Sequence, residues 1–385
     1  MLNYPLKLTT PRATHIFGGT RIKTQLGKAE LPGTRIAETW EVSDVDGMIA
    51  TVVNGPLAGT SLRELATRYP DELVAPGWRG PHFPLLSKFI DGSGMLPVHL
   101  HANDETAQRL ENQPNGKTEA WHILWAAPGA TCLAGIKTGM KKETIREALL
   151  AGDYDRVMYR LPLKTGDTLY VPGGQLHSFG PDTLIYEIEQ TSDIQQHAMP
   201  WNMEDGSPVP PEEQARNIDK LLDELRPELL TQPQRGLVLE ACDAVQRLVC
   251  CAGPYFALER WRFDACYYYR FASVRIVTNI GAPVTVNAGG QTTTLERAQS
   301  MILPAALGEA EFCGKGELLV GYVPDLAQEI VAPLRAAGYR RRRLTRLAIS
   351  AAACANAARR AVSPAAGKAC CATRQACAPQ GSYCR

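Results

Sequence analysis

The chain has 385 residues, 41 Lys and Arg against 40 Asp and Glu, and a formal net charge of +1. A balance so near neutral offers no field for nucleic acid or an acidic membrane surface, so the expected partner is a small molecule; the oligomeric state is left open. The length suffices for two well-packed domains, no stretch approaches the length of a membrane span, and the start MLNYPLKLTTPRATHIFGG lacks the apolar block of a secretory signal, which makes the cytoplasm the expected location.

From about 4 to 58 the sequence is rich in short β-like runs punctuated by glycine, including HIFGGT, AETWEVSD and MIATVVNGPLAG, which suits a meandering sheet. TSLRELATRYPDELV then signals a helix, with Ser61 and Glu64 at capping-box spacing and Pro70 interrupting. FPLLSKFIDG and LPVHLHA read as strands, NDETAQRL as a turn and short helix, and GKTEAWHILWAAPGA as strand again. A second helix is signalled by KKETIREALLAGD, with Thr144 and Glu147 spaced for a capping box and Gly152 ending it.

Strands carrying Gly166 to Asp193 close a first domain, residues 1–200. A connection over 201–240 holds a proline-rich entry and a helix starting near Pro211. From 241 to 325, alternating segments such as FALERWRF, PVTVNAGGQTTTL and ELLVGYV suggest a second, smaller barrel without histidine. A short helix over 326–338 follows, and 339–385 is a basic, Ala- and Cys-rich tail expected to be disordered. The six body cysteines, Cys132, Cys242, Cys250, Cys251, Cys266 and Cys313, show no CxxC spacing, so reduced and mostly buried thiols are expected.

The chemistry concentrates in a split set of metal-ligand types: His99 and His101 in PVHLH, Glu119 in GKTEAWHIL, and His177 ending GDTLYVPGGQLH. Residues two apart on a strand share a face, so His99 and His101 can hold one ion while Val98 and Leu100 face away. His177 arrives on a separate strand after a Pro-Gly turn. Three imidazoles and a carboxylate make a cage for one divalent ion. His122, three residues beyond Glu119, reads equally as a packed residue or a functional one.

This order of ligands is found in the cupins, so the expected fold is mainly β, two cupin-type jelly-roll barrels with a few peripheral helices. The residues further resemble the type I mannose-6-phosphate isomerases of the short bacterial kind. The likeness rests on HIFGG, with Phe17 for that family's tryptophan, and on AETWEVS, FPLLSKFID, NGKTEAWHIL, VPGGQLHSFG and LIYEIEQTSD in order. It covers residues 5 to 200 well and the second barrel loosely. The resemblance implies that His101, Glu119 and His177 bind one zinc ion, that Lys117 and Glu187 reach the sugar, and that Lys88 is part of the phosphate grip. Aldose-ketose isomerisation moves a proton between adjacent carbons through an enediol, which needs a base and stabilisation of negative charge on oxygen. Zinc supplies the second as a Lewis acid. Either Lys117, its pKa lowered by burial and nearby positive charge, or Glu187 is the base.

Three departures bear on the substrate. His99 stands where many relatives have glutamine and completes a three-histidine cage. Pro97 occupies the position of a phosphate-binding serine, and His197 that of an arginine near the sugar; His197 is a candidate for proton transfer itself. A different or unphosphorylated sugar therefore stands as an alternative substrate. An Fe(II) cupin oxygenase and a non-catalytic sugar-binding cupin are the competing classes.

Overall fold

The computed structural model describes residues 2–347 apart from Asp243, so the Cys-rich stretch from 348 onward lies outside the described residues. Among the described residues no helix is long and apolar enough to cross a membrane.

Two β-sandwiches lie side by side. In the first, a six-stranded sheet runs in the order Arg12–Ala13, Glu38–Val42, Leu85–Gly92, Thr183–Gln190, Glu119–Ala126 and Thr168–Val171. Opposite it, Gln196–His197, His99–Leu100, His177–Phe179, Thr131–Ile136 and Met158–Pro162 form a five-stranded sheet. Ile90, Trp121 and Ile185 from one sheet meet Cys132, Ala134 and Phe179 from the other. The second sandwich pairs a seven-stranded sheet centred on Ala257–Phe263 and Gly316–Tyr322 with a four-stranded sheet. These are the two barrels expected, with helices at the periphery.

The six-stranded sheet is covered on both faces, which explains why its central strands carry so little solvent-facing polarity. Every residue of Leu85–Gly92 and of Thr183–Gln190 is buried. Along the latter, Ile185 packs inside the first barrel while Leu184, Tyr186 and Ile188 join a core with Phe256, Leu258, Ile276 and Leu319 of the second. Period two then leaves Glu187 and Glu189 on the inner side, buried at 3% and 0% exposure. The chain start also belongs to this interface, because Leu6–Lys7 pairs with Ser300–Leu303 in the second barrel's sheet rather than with the first barrel.

Local signals were read with mixed success. Ser61 and Glu64 do close a capping box on Leu62–Arg68. The Lys142–Leu150 helix begins ahead of Thr144, its N-cap is Lys141 without a side-chain bond, and no box forms there. The 4–58 region holds one five-residue strand, Glu38–Val42, and otherwise short pairings and isolated bridges such as Gly19↔Ile36. Pro211–Glu224 is more than a connection, since Ile218, Leu221 and Leu222 pack on Val98 and Leu100 behind the histidine strand.

Two expectations are corrected in the second barrel. The register Tyr267↔Phe312 makes Cys266 and Cys313 the next rung of an antiparallel pair, and they form a disulfide, whereas Cys132, Cys250 and Cys251 are free and buried. Residues 339–347 are ordered: Leu344 and Leu347 sit in the second core with Ile330 and Leu334. Leu344→Ala should cost about 2–4 kcal/mol by lost burial and a residual cavity. Calorimetry checks this, and an unchanged Tm would show that the 341–347 segment adds nothing to the core.

Candidate active site

The antiparallel register places His197, His99 and His177 in one row across three neighbouring strands, with His177↔His99 and His197↔His99 directly opposed. His101 lies one turn of the pleat further along, its ring 4.8 Å from His99 and 5.1 Å from His177. Glu119 comes from the facing sheet, with Oε1 3.1 Å from His177 Nε2 and Oε2 3.0 Å from His101 Nε2. The His177 and His99 Nε2 atoms are 3.1 Å apart. Thus the four predicted ligands converge.

Their hydrogen bonds define the protonation. Nδ1 of His99, His101 and His177 faces the carbonyl oxygens of Pro97 at 2.8 Å, Ile194 at 2.7 Å and Gln175 at 2.8 Å. A carbonyl can only accept, so each Nδ1 carries the hydrogen and each Nε2 turns a lone pair inward. Burial, aided by the charge of Lys117, lowers the pKa of His101 to about 3, and burial likewise holds His99 well below the usual range, which keeps these imidazoles neutral. Three nitrogen lone pairs and a carboxylate facing one another in a dry pocket repel unless a cation sits among them. The donor set therefore fits a divalent metal ion, and the Nδ1 anchors are the outer contacts that orient such ligands.

Glu119 has an anchor of its own. The Trp121 indole Nε1 donates to its Oε1 at 2.8 Å. The same Glu-x-Trp arrangement recurs at Glu38 and Trp40, at 2.8 Å, and in the second barrel at Glu259 and Trp261, at 2.6 Å. Glu259 meets Arg247 at 2.9 Å and the Tyr322 hydroxyl at 2.5 Å. A guanidinium thus faces the carboxylate there, where the first barrel's Glu119 faces the imidazoles.

Beside the ligands lies a cavity of about 270 Å³, lined by Lys88, Lys117 and Glu187 as well as His99 and Glu119. Glu189 bridges both lysines, 3.0 Å from Lys117 Nζ and 3.1 Å from Lys88 Nζ. Lys117 Nζ is also 3.7 Å from Glu119. Burial alone would lower the Lys117 pKa, but the Glu189 carboxylate and its neighbours outweigh it and hold the group above its usual range, correcting the expectation of a lowered value. Lys88 Nζ is 3.8 Å from both Glu38 and Glu187 and lies 4.0 Å over the Trp40 ring. The ammonium expected to grip phosphate is thus already enclosed by three carboxylates.

Glu187 differs in making no side-chain hydrogen bond among the described residues, where its carboxylate has the 3.8 Å approach of Lys88. Burial and the nearby charges of Glu189 and Glu119 push its pKa well above the ordinary carboxylate range. His197 packs behind His99 at 5.9 Å between rings, is not among the residues lining the cavity, and has a buried Nε2 without a partner. His122 points the other way, bonded to Thr168 Oγ1 at 2.8 Å. Sequence reasoning passed over Glu38, Glu189 and Arg12. The first two carried a signal, since each shares a strand face with a residue already singled out or with a paired tryptophan. Arg12, exposed at the cavity rim with no hydrogen bond or ion pair among the described residues, carried none.

Fold and site together define a two-barrel cupin with a buried His/Glu group able to hold a metal ion. No protein-family model matches the chain. It is 29% identical over 332 residues to the Bacillus subtilis protein named "Probable mannose-6-phosphate isomerase GmuF", covering 83% of this chain and all of that one. It is 26% identical to the mannose-6-phosphate isomerase of Streptococcus mutans, over 83% of this chain and 98% of the other. Among solved structures, the mannose 6-phosphate isomerase of Bacillus subtilis superposes with a TM-score of 0.75 at 25% identity, over 83% of this chain and 99% of that one. The resemblance and enzyme class read from the motifs are thereby borne out: along both barrels this chain is similar to mannose-6-phosphate isomerases.

Proposed function

We propose that this chain is a zinc-dependent aldose-ketose isomerase of the cytoplasm, interconverting mannose 6-phosphate and fructose 6-phosphate. The observation that carries the reading is the Glu187 carboxylate, held by no side-chain hydrogen bond among the described residues, opening into the same cavity as His99 and Glu119 of the ligand cluster. His99, His101, His177 and Glu119 would hold the ion, which when bound supplies Lewis-acid stabilisation of negative charge on the sugar oxygens. Glu187 takes the proton from the carbon next to the aldose carbonyl and returns it to the carbonyl carbon, while the hydroxyl proton of that neighbouring carbon passes to the former carbonyl oxygen, so that no atom is gained or lost. Lys117, fixed by Glu189 and close to Glu119, presents its ammonium to the developing enediolate. His197, behind His99, would steady that ligand and does not itself move the proton.

A phosphate dianion needs a cation that is not already paired, and among the described arginines and lysines lining this cavity Arg12 at the rim meets the condition. Arg12→Gln is therefore expected to raise KM for mannose 6-phosphate about tenfold or more with kcat little changed. Equal KM in both proteins would place the phosphate elsewhere. The enclosure of Lys88 favours a second reading, an unphosphorylated sugar. A coupled assay of zinc-loaded protein with phosphorylated and free sugars decides: mannose 6-phosphate turnover supports the proposal, and turnover of free sugar alone removes its substrate. Metal analysis with oxygen uptake tests the oxygenase alternative in the same preparation.

A further inference from the structure

A second cavity, of about 250 Å³, lies between the barrels on the outer side of the Glu119–Ala126 strand. His122, 1% exposed, lines it, together with Arg260, Arg297, Thr165 and the carboxylate-bearing Glu317. His122 Nδ1 meets Thr168 Oγ1, and Nε2 has no partner among the described residues. Burial and the charges of Arg260, Arg262 and Arg235 lower its pKa to about 3, so the ring is neutral. The Thr168 hydroxyl can donate to Nδ1, and in that tautomer Nε2 carries the hydrogen and offers a donor where the ring borders the cavity.

The arginines around it are not balanced. Arg260 and Arg262 share the single carboxylate of Glu317. Arg235 pairs with Asp167 at 2.9 Å, and Arg297 has only a 3.2 Å bond to the Gln25 carbonyl. Of these, Arg260 and Arg297 line the cavity against the one carboxylate of Glu317, which Arg262 also shares, so its wall carries an excess of positive charge. The Nη1 atoms of Arg235 and Arg260 lie 3.1 and 3.5 Å from the point a Cβ on Gly166 would occupy, so two cations converge on one glycine turn. Like charges held this close are relieved by an anion, and guanidinium groups match phosphate oxygens in geometry as well as charge.

We propose that the inter-barrel cavity binds a phosphate group, as orthophosphate or a phosphomonoester, through Arg260, Arg297 and the Nε2 hydrogen of His122. Bound there, it would tie the outer face of the Glu119 strand to the second barrel. The site is separate from the metal-side cavity, and the proposal does not rest on the isomerase reading.

Calorimetric titration of the full chain with orthophosphate at fixed ionic strength tests it, with glycerol 3-phosphate as a second arm. In an Arg12→Gln background, where the metal-side cavity has lost its own cation, Arg297→Gln, at an exposed position with no ion pair among the described residues to lose, should weaken orthophosphate binding at least tenfold. Arg260→Lys, which keeps the charge facing Glu317, should weaken it too. Tighter binding of the ester would identify a metabolite as the ligand, and tighter orthophosphate the free ion. No saturable binding by the Arg12→Gln chain, or equal affinity in Arg12→Gln and in Arg12→Gln combined with Arg297→Gln, would overturn the proposal.

Discussion

Glu187→Gln should lower kcat for sugar-phosphate isomerisation by about 10²–10⁴-fold, with metal content and Tm nearly unchanged. The amide keeps the shape and cannot accept a proton. The site leaves little room for a substitute: Glu189 is held between two lysines at 3.0 and 3.1 Å, and Glu38 accepts from the Trp40 indole. Lys117→Gln should also reduce turnover, yet a Glu187→Gln variant retaining near-normal kcat would transfer the proton to Lys117 and reverse the assignment made above. The pH profile separates them further, because a buried carboxylate with a raised pKa imposes the acid limb of the rate.

Stripping the metal with a chelator should abolish turnover and lower Tm, and zinc should restore both. A ligand that binds only the folded chain stabilises it by about 4 kcal/mol at a thousandfold excess over Kd. His177→Ala should reproduce the loss without recovery on adding zinc. The stripped protein should also be acid-sensitive, with a definite sign. His101 titrates near 3 when folded and near 6.5 when unfolded, so the unfolded chain binds the extra proton between those values. Stability is then complete above about pH 6.5 and declines as pH falls toward 3, by up to roughly 5 kcal/mol for this one group. Denaturant titrations at pH 7 and pH 5 measure it; equal stability at the two would show that His101 is not held neutral. Metal-loaded protein should resist acid longer, since the ion competes with the proton for Nε2.

The ligand centre was legible because its signal is local: period two aligns His99 with His101, and a Pro-Gly turn delivers His177. The lysine and carboxylate positions came through family likeness, and strand periodicity from Glu187 points equally to Glu189, which that likeness did not single out. Arg12 was invisible because it reaches the rim only through pairing of Arg12 with Thr39, a contact no short motif announces. The Cys266–Cys313 bridge spans 47 residues and follows from register alone. The helix beginning at Lys142 shows the opposite failure, a spacing at Thr144 and Glu147 that matches a capping motif but falls inside the helix. Leu344 and Leu347 were masked by the arginines around them, a basic segment that nonetheless buries two leucines.

The Glu-x-Trp bonds also give the chain an optical readout. Trp121 donates to the metal-side Glu119 and lies 5.4 Å from the His177 ring, so loading the centre changes the charge felt by that indole. Trp261 makes the same bond to Glu259, whose charge is matched by Arg247 within the protein. One indole is thus coupled to the candidate metal centre and the other to an ion pair within the protein. Intrinsic fluorescence of a Trp121→Phe variant, compared with the unaltered chain during zinc titration, would follow occupancy without added dye or turnover of sugar.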